Sequence, residues 1–80
     1  MPDVKTRLIG CFQVVFGGLS DAQVEQATQA TMSEWDSVAA ITLVNVMEEE
    51  FNVQVDYDRL PDLDSFTRIL NYLTDILGVT

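Results

Sequence analysis

The sequence predicts an all-α fold, a small four-helix bundle made of three main helices, one short helix and a long first loop. Two observations predict it. Three segments repeat their apolar residues at intervals of three and four, which is the period of an amphipathic helix. Residues typical of helix ends flank these segments, and no segment requires a strand. The chain has 80 residues, which fits a single domain over 1–80.

The first predicted helix runs from Val4 to Phe16. Its apolar residues share one face, and they are Val4, Leu8, Cys11, Phe12 and Val15. Gly17-Gly18 ends the pattern in the way that glycine ends many helices. Because Cys11 lies within the apolar stripe, we interpret it as a small hydrophobic core residue and not as a redox or nucleophilic group.

A long connection follows over residues 17–36. The run Ser20-Asp21-Ala22-Gln23 has the form of a capping box, which predicts a turn or two of helix after Ser20. We expect three apolar residues of this segment to fix it to the core, namely Leu19, Val24 and Met32. Connections of this length are unusual in compact domains and are often functional.

The second main helix is predicted from Ser37 to Phe51, with Asp36-Ser37 supplying the polar oxygens of an N-cap. Its predicted apolar stripe is Val38, Ile41, Val44, Met47 and Phe51, widened by Leu43 and Val46. The helix ends in Glu48, Glu49 and Glu50, where the helix macrodipole disfavours negative charge. These three carboxylates are interpreted either as a solvated face or as a docking surface for a basic partner.

The rest of the chain predicts one short helix and one long helix. Residues 52–63 are irregular apart from a helical turn over Tyr57 to Leu60, which Pro61 is expected to stop. The last helix is predicted from Ser65 to Leu77, capped by Asp64 or Ser65 and ended by Gly78. Its predicted stripe is Phe66, Ile69, Leu70, Leu73, Ile76 and Leu77.

The composition excludes several functions. The chain has no His and one Cys, so it has no Ser-His triad, no His zinc site and no internal disulfide. Its 13 acidic and 4 basic residues give a net charge of −9, which disfavours nucleic acid and favours basic protein surfaces as partners. Because no signal peptide or membrane-spanning run is recognisable, we expect a cytoplasmic protein with no membrane span. Since the sequence has no clear signal for oligomerisation, we also expect a monomer.

The acidic residues do not predict a metal site or an enzyme. Asp56, Asp58, Asp62 and Asp64 suggest calcium by their spacing, but Pro61 and Thr67 stand where an EF-hand loop needs Gly and Glu. Aspartates that cap turns are the preferred interpretation. Since no carboxylate lies in an evidently apolar setting, we expect a protein without catalytic activity.

Ser37 is the strongest candidate for chemistry. It follows a long loop and begins the most strongly patterned helix, so its hydroxyl is expected to be exposed. A phosphodiester at this position gains from the positive helix end and from unpaired backbone N–H groups. No base accompanies the serine, so it is interpreted as a hydroxyl that another enzyme modifies.

These residues resemble the acyl carrier protein family. Trp35-Asp36-Ser37-Val38, then Leu43-Val44, Glu48-Glu49-Glu50-Phe51 and Val53-Gln54-Val55, is similar to that family's D-S-L…E-E-E-F signature at the same spacing. The segment Asn71-Tyr72-Leu73 is similar to its closing helix. The resemblance covers the whole chain, and its specific part is residues 36–55.

The resemblance implies an acyl-carrier-like fold and a specific modification. Ser37 would bear 4′-phosphopantetheine, transferred from coenzyme A by a phosphopantetheinyl transferase, and the thiol of that arm would hold acyl or aminoacyl groups as thioesters. Asp36 would cap the helix and help the transferase to dock. Val38, Ile41 and Met47 would form an apolar rim, and Glu48 and Glu49 would supply charge for basic patches on acyl- or aminoacyl-loading and acyl-transfer enzymes.

Three positions depart from the fatty-acid carriers of this family. Ala39 and Thr42 stand where those carriers usually have acidic residues, and Trp35 replaces a smaller residue before the aspartate. The departures imply partners in a specialised pathway, such as polyketide, lipid-modification or aminoacyl-carrier chemistry. Trp35 is interpreted either as an anchor of the long loop or as a ligand contact.

A second hypothesis gives the chain no modification at all. It is then an acidic helical adaptor that binds basic protein partners through the Glu48–Glu50 face. The adaptor's binding would survive Ser37→Ala and weaken steeply with salt, whereas the carrier requires the Ser37 hydroxyl.

Overall fold

The computed structural model describes residues 3–78. Within this range the helices are α1 (Val4–Val15), α2 (Asp21–Glu25), α3 (Ser37–Phe51), a 3₁₀ helix (Tyr57–Asp62) and α4 (Phe66–Leu77). No strand forms among these residues, and extended backbone pairs only in an isolated antiparallel bridge between Thr28 and Ser65. The predicted all-α class is therefore confirmed, although the described residues form five helices and not four because the turn predicted after Ser20 is a helix of its own.

Side-chain caps set the starts of the first two helices. The Asp3 carboxylate accepts the Thr6 N–H at 2.8 Å, and α1 ends one residue before the predicted Phe16, which is its C-cap. The predicted capping box is confirmed at α2: the Ser20 hydroxyl accepts the Gln23 N–H at 3.2 Å, and the Gln23 side chain accepts the Ser20 N–H at 2.8 Å. Each bond satisfies a donor that the helix geometry leaves without a partner.

The later helices begin and end close to the predicted residues. The bounds of α3 are those predicted, and Ser65 is the N-cap of α4 rather than its first residue. Gly78 ends α4 with a φ of 71°, a left-handed conformation that glycine adopts without strain. The 3₁₀ helix continues through Pro61 to Asp62 instead of stopping before it, since the fixed φ of proline lies within the 3₁₀ range.

α1 and α3 run antiparallel and form the centre of the fold. Arg7 near the start of α1 lies over the ring of Phe51 at the end of α3, 4.6 Å from its centroid. At the other end, Phe12 packs against Trp35, which precedes α3, with ring centroids 5.4 Å apart. The most deeply buried side chains join these helices to α2 and α4, and they are Leu8, Phe12, Val24, Leu43, Met47, Ile69 and Leu73.

The buried face of α3 contains only part of the predicted apolar stripe. Val38 and Ile41 are 72% and 45% exposed, and the buried residues are Ala40, Leu43, Val44, Met47 and Phe51. The prediction was wrong for Val38 and Ile41 because residues three apart turn about 300° around a helix, about 60° short of a full turn. A run that repeats every third residue therefore winds around the helix. Ile76 of the predicted α4 stripe is likewise exposed.

The long first loop is fixed to the start of α4. The Gln29 N–H donates to the Asp64 carbonyl at 2.8 Å, and the Phe66 N–H donates to the Ala27 carbonyl at 3.0 Å. Val24 is fully buried, and Leu19 and Met32 pack against the core as expected. These contacts carry the loop across the bundle and return it to the first residue of α3. None of the helices within residues 3–78 has the length and apolarity needed to cross a bilayer.

Candidate functional site at the N-terminus of α3

Asp36 holds the first turn of α3 in place. Its backbone is extended, with φ −96° and ψ −172°, and its Oδ1 accepts the Ala39 N–H at 2.8 Å. Its carbonyl oxygen accepts the Ala40 N–H at 2.9 Å, which is the first bond of the helical ladder. Asp36 therefore satisfies the third backbone donor of the helix with its side chain, the arrangement predicted for an N-cap.

Ser37 is exposed as the first residue of this 15-residue helix. Within residues 3–78, no hydrogen bond engages its hydroxyl, and no acceptor pairs with the backbone N–H groups of Ser37 or Val38. The first turn of α3 contains no acidic side chain. Free N–H groups at the positive end of a helix favour an anion such as a phosphoryl group on the adjacent hydroxyl.

Trp35 anchors the loop that leads to this site. Its side chain is 2% exposed and packs against two aromatic rings, edge-on to Phe12 at 5.4 Å and tilted on Phe16 at 5.8 Å between centroids. The backbone N–H of Trp35 also donates to the Met32 carbonyl at 3.1 Å. The anchoring role, one of the two expected for Trp35, is therefore confirmed, and it places the exposed Ser37 two residues from a buried ring.

An exposed apolar strip continues from Ser37 along α3. Val38 and Ile41 are neighbours on the helix surface because they are three residues apart, and Asn45 and Glu49 continue the same face. Tyr57 from the 3₁₀ helix extends the strip, since it is 51% exposed and its hydroxyl donates to the Asn45 side chain at 3.3 Å. The sequence did not indicate that Tyr57 belongs to this surface. Its neighbour in space, Asn45, is separated from it along the chain by the end of α3 and an irregular segment.

Met47 does not belong to this strip. It was expected beside Val38 and Ile41 in an apolar rim, but its side chain is 0% exposed and forms part of the core. It lies nine residues after Val38, about 180° around the helix, so it faces the opposite side of α3. The assignment of Met47 to a docking surface was wrong.

Two of the three glutamates that end α3 make internal contacts. The Glu48 carboxylate accepts a hydrogen bond from the Val55 N–H at 2.8 Å, and the Glu50 carboxylate accepts one from the Arg7 Nε–H at 2.7 Å. Glu49 is exposed and forms no ion pair with any residue in the described range. Tertiary contacts therefore explain most of an acidic run that the local helix disfavours.

The aspartates around the 3₁₀ helix make local bonds. The Asp56 carboxylate accepts the Asp58 N–H at 2.9 Å. The Asp64 Oδ1 lies 3.4 Å from the Arg68 Nη1, which makes an exposed ion pair. Among residues 3–78 there is no group of three or more metal-ligating side chains. A depression of about 520 Å³ lies nearby between the 3₁₀ helix and α4, where Arg59, Arg68 and Tyr72 contribute to its walls. No residue of the apolar strip lines this depression.

A second cavity lies at the end of α1. It has a volume of about 280 Å³ and is lined by Val15, Phe16, Gly17, Leu19, Met32 and Glu34. Since α1 and α3 are antiparallel, the end of α1 and the start of α3 lie at the same end of the bundle. This cavity, the loop groove, therefore lies at the same end of the bundle as Ser37.

The site thus combines an exposed serine at a helix N-terminus, an apolar strip along α3 and a groove at the same end of the bundle. Comparison of the chain with family models, with curated proteins and with solved structures finds no significant match.

Proposed function

We propose that this chain is a carrier protein in which Ser37 bears a 4′-phosphopantetheine arm. The thiol of that arm holds acyl or aminoacyl groups as thioesters, and partner enzymes act on them. One observation carries the proposal: Ser37 is an exposed hydroxyl at the first position of a long helix, beside backbone N–H groups with no acceptor in the described range.

The residues around Ser37 fit a phosphodiester. The N–H groups of Ser37 and Val38 are available to its oxygens, and the macrodipole of a 15-residue helix favours negative charge at this end by about 0.3–1 kcal/mol. Asp36 caps the helix through the Ala39 N–H, so its carboxylate does not occupy the two free donors. The negative charge of Asp36 opposes this attraction only weakly, because exposed charges are screened by water and salt.

Modification of Ser37 requires a separate enzyme. The serine oxygen forms a bond to phosphorus, the pyrophosphate bond of coenzyme A breaks, and the adenosine bisphosphate leaves. The hydroxyl proton goes to a base of the transferase, since this chain has no His and places no basic side chain against Ser37 in the described range. The role of the chain is to hold Ser37 at the start of a capped helix and to leave its hydroxyl exposed.

The apolar strip is the proposed surface for the partner enzymes. Val38, Ile41 and Tyr57 expose apolar area that the core does not use, and Glu49 adds an exposed carboxylate at the end of the same face. A phosphopantetheinyl transferase and acyl- or aminoacyl-loading enzymes with basic patches complement this combination. The low charge of the first turn of α3 supports partners from a specialised pathway.

The alternative function, an unmodified acidic adaptor, receives less support. It depends on the three carboxylates Glu48, Glu49 and Glu50 as a docking face. Since Glu48 binds the Val55 N–H and Glu50 binds Arg7, only Glu49 presents its charge without an internal partner in the described range. A single exposed carboxylate contributes little to binding.

Intact-mass measurement tests the carrier. The purified chain is incubated with coenzyme A and a broad-specificity phosphopantetheinyl transferase, and we expect one added phosphopantetheinyl group. Ser37→Ala should gain no mass. Ser33→Ala is the matched control, because Ser33 is an exposed serine of the same loop, and it should be modified like the wild type. No mass gain on the wild type, or an equal gain on Ser37→Ala, refutes the carrier.

A further inference from the structure

The depression between the 3₁₀ helix and α4 collects charged side chains of both signs. On the 3₁₀ helix, Arg59 and Asp62 are three residues apart and share one face, since this helix has three residues per turn. On α4, Arg68 and Asp75 also share a face, about 10 Å apart along the helix axis. Each wall therefore carries one guanidinium and one carboxylate, and the depression holds two of the four basic residues of the chain.

The opposite charges of this depression do not pair with one another. Among the described residues, Arg59, Asp62 and Asp75 form no ion pair, and Arg68 pairs only with Asp64, which does not line the depression. The charged groups that face the depression are therefore too far apart for direct contact. A molecule that carries both charges can bridge them, and the volume of about 520 Å³ lies within the range of small-ligand sites.

Three hydrogen-bond donors of the walls have no acceptor in the described range. They are the Arg59 guanidinium, the side-chain amide of Asn71 and the hydroxyl of Tyr72. The Tyr72 oxygen already accepts the Asp56 N–H at 3.0 Å, so its own hydrogen is available to a ligand. Donors of these types bind carboxylate oxygens, and the buried Leu63 adds apolar surface to the same depression.

The charge of the whole chain favours a ligand without net charge. At a net charge of −9 the protein repels a free anion, and the two guanidiniums of the depression repel a free cation. A zwitterion avoids both penalties. Because donors and acceptors line one depression, the two charges of the zwitterion have to lie close together, as they do in an α-amino acid, whose ammonium and carboxylate groups are bonded to the same carbon.

We propose that this depression binds a free α-amino acid with an apolar side chain. The carboxylate of the amino acid binds the Arg59 guanidinium, its ammonium group donates to the carboxylates of Asp62 and Asp75, and its side chain covers Leu63. None of these contacts involves Ser37, so the proposal is independent of the carrier function. Since the charged contacts are exposed to water, we expect a Kd on the order of 1 mM.

A matched set of three ligands tests the need for both charges. Leucine, 4-methylpentanoate, which lacks the ammonium group, and 3-methylbutylamine, which lacks the carboxylate, are each titrated into the unmodified ¹⁵N-labelled chain near neutral pH. We expect leucine to shift the resonances of the Asn71 side-chain amide and the Leu63 backbone N–H saturably, and to bind about ten times more tightly than either analogue. Equal affinity for leucine and one analogue overturns the proposal, and so does the absence of a saturable shift with leucine.

Glycine tests the apolar part of the proposal. It has the same two charges as leucine but no side chain to cover Leu63, so we expect its affinity to be about three to ten times lower. Equal affinities of glycine and leucine overturn the preference for an apolar amino acid.

Matched variants identify the side chains that bind. Arg59→Gln and Asp75→Asn should each weaken leucine binding about three- to tenfold, because each removes one charged partner of the ligand. Lys5→Gln and Asp58→Asn make the same changes of charge at exposed positions outside the depression, so both should bind leucine like the wild type. If the control variants weaken binding as much as Arg59→Gln and Asp75→Asn do, the effect is one of net charge and the proposal fails.

Discussion

The Asp36 carboxylate accepts the backbone N–H of Ala39 at 2.8 Å, and this bond defines the first turn of the helix that presents Ser37. It predicts a measurable loss of stability when the cap is removed. Asp36→Ala should lower the free energy of unfolding by about 0.5–2 kcal/mol, whereas Asp36→Asn, which retains an acceptor, should lower it much less. Urea denaturation measures both.

Glu34→Ala is the matched control for this prediction. Glu34 is an exposed acid two residues earlier, and its side chain makes no hydrogen bond within residues 3–78. The Glu34→Ala variant should change the free energy of unfolding by no more than about 0.5 kcal/mol. An equal loss from Glu34→Ala and Asp36→Ala would show that charge, and not capping, accounts for the effect.

The two faces of α3 should respond differently to truncation. Phe51 is 7% exposed and packs under the Arg7 guanidinium, so Phe51→Ala should cost about 3–5 kcal/mol, enough to unfold much of a domain this small. Val38→Ala on the exposed face should change stability by less than about 0.5 kcal/mol. Thermal denaturation followed by circular dichroism compares them. A fold that tolerates Phe51→Ala as well as Val38→Ala would mean that the orientation of α3 is wrong.

Local chemistry explains what the sequence could predict. The starts of α2, α3 and α4 depend on side chains that bond to backbone within three residues, namely Ser20, Asp36 and Ser65. Such bonds are visible in sequence because both partners are close together in the chain. The bounds of α3 and the placement of Ser37 at its first residue were therefore predicted correctly.

Tertiary contacts account for what the sequence could not predict. Val46 and Ile41 have similar side chains, and only tertiary packing decides that Val46 is partly buried and Ile41 exposed. The partners of Glu48 and Glu50 lie on other segments, Val55 and Arg7, so the acidic run resembled a free docking face. The loop groove likewise forms between the end of α1 and the long first loop, which no local pattern specifies.

The glutamates at the end of α3 give a prediction with a matched pair. Glu48→Ala removes the acceptor of the partly buried Val55 N–H, so it should cost about 1–3 kcal/mol. Glu49→Ala removes the same charge from an exposed position without an internal partner in the described range, so it should be nearly neutral. Chemical denaturation at low and high salt separates the cases. If the two variants lose equal stability, or if the Glu48 effect disappears in high salt, the contribution is electrostatic and the Val55 bond is unimportant.

Two glycines of the first third of the chain should respond in opposite directions to alanine. Gly10 lies inside α1 with open space around its Cβ position, so Gly10→Ala should stabilise the protein by about 0.5–1 kcal/mol. Gly18 has a φ of 90°, a conformation that L side chains rarely adopt, so Gly18→Ala should destabilise it by about 1–2 kcal/mol. Urea midpoints compare the two. Equal effects of the same sign would show that backbone conformation does not control stability at these sites.

Cys11 gives a pH-dependent prediction. Its side chain is 3% exposed, as expected of a core residue, and burial raises the pKa of its thiol from 9.0 to about 11, with the charge of Glu50 adding to the increase. The folded state therefore retains the thiol proton at pH values where the unfolded chain loses it. The stability that this provides is complete below about pH 9 and is lost as the pH rises toward 11. We expect the stability advantage of the wild type over Cys11→Ala, measured by urea denaturation under reducing conditions, to decrease between pH 8 and pH 10. Other titrating groups are common to both proteins and cancel in this difference, so an advantage that stays constant with pH would contradict the raised pKa.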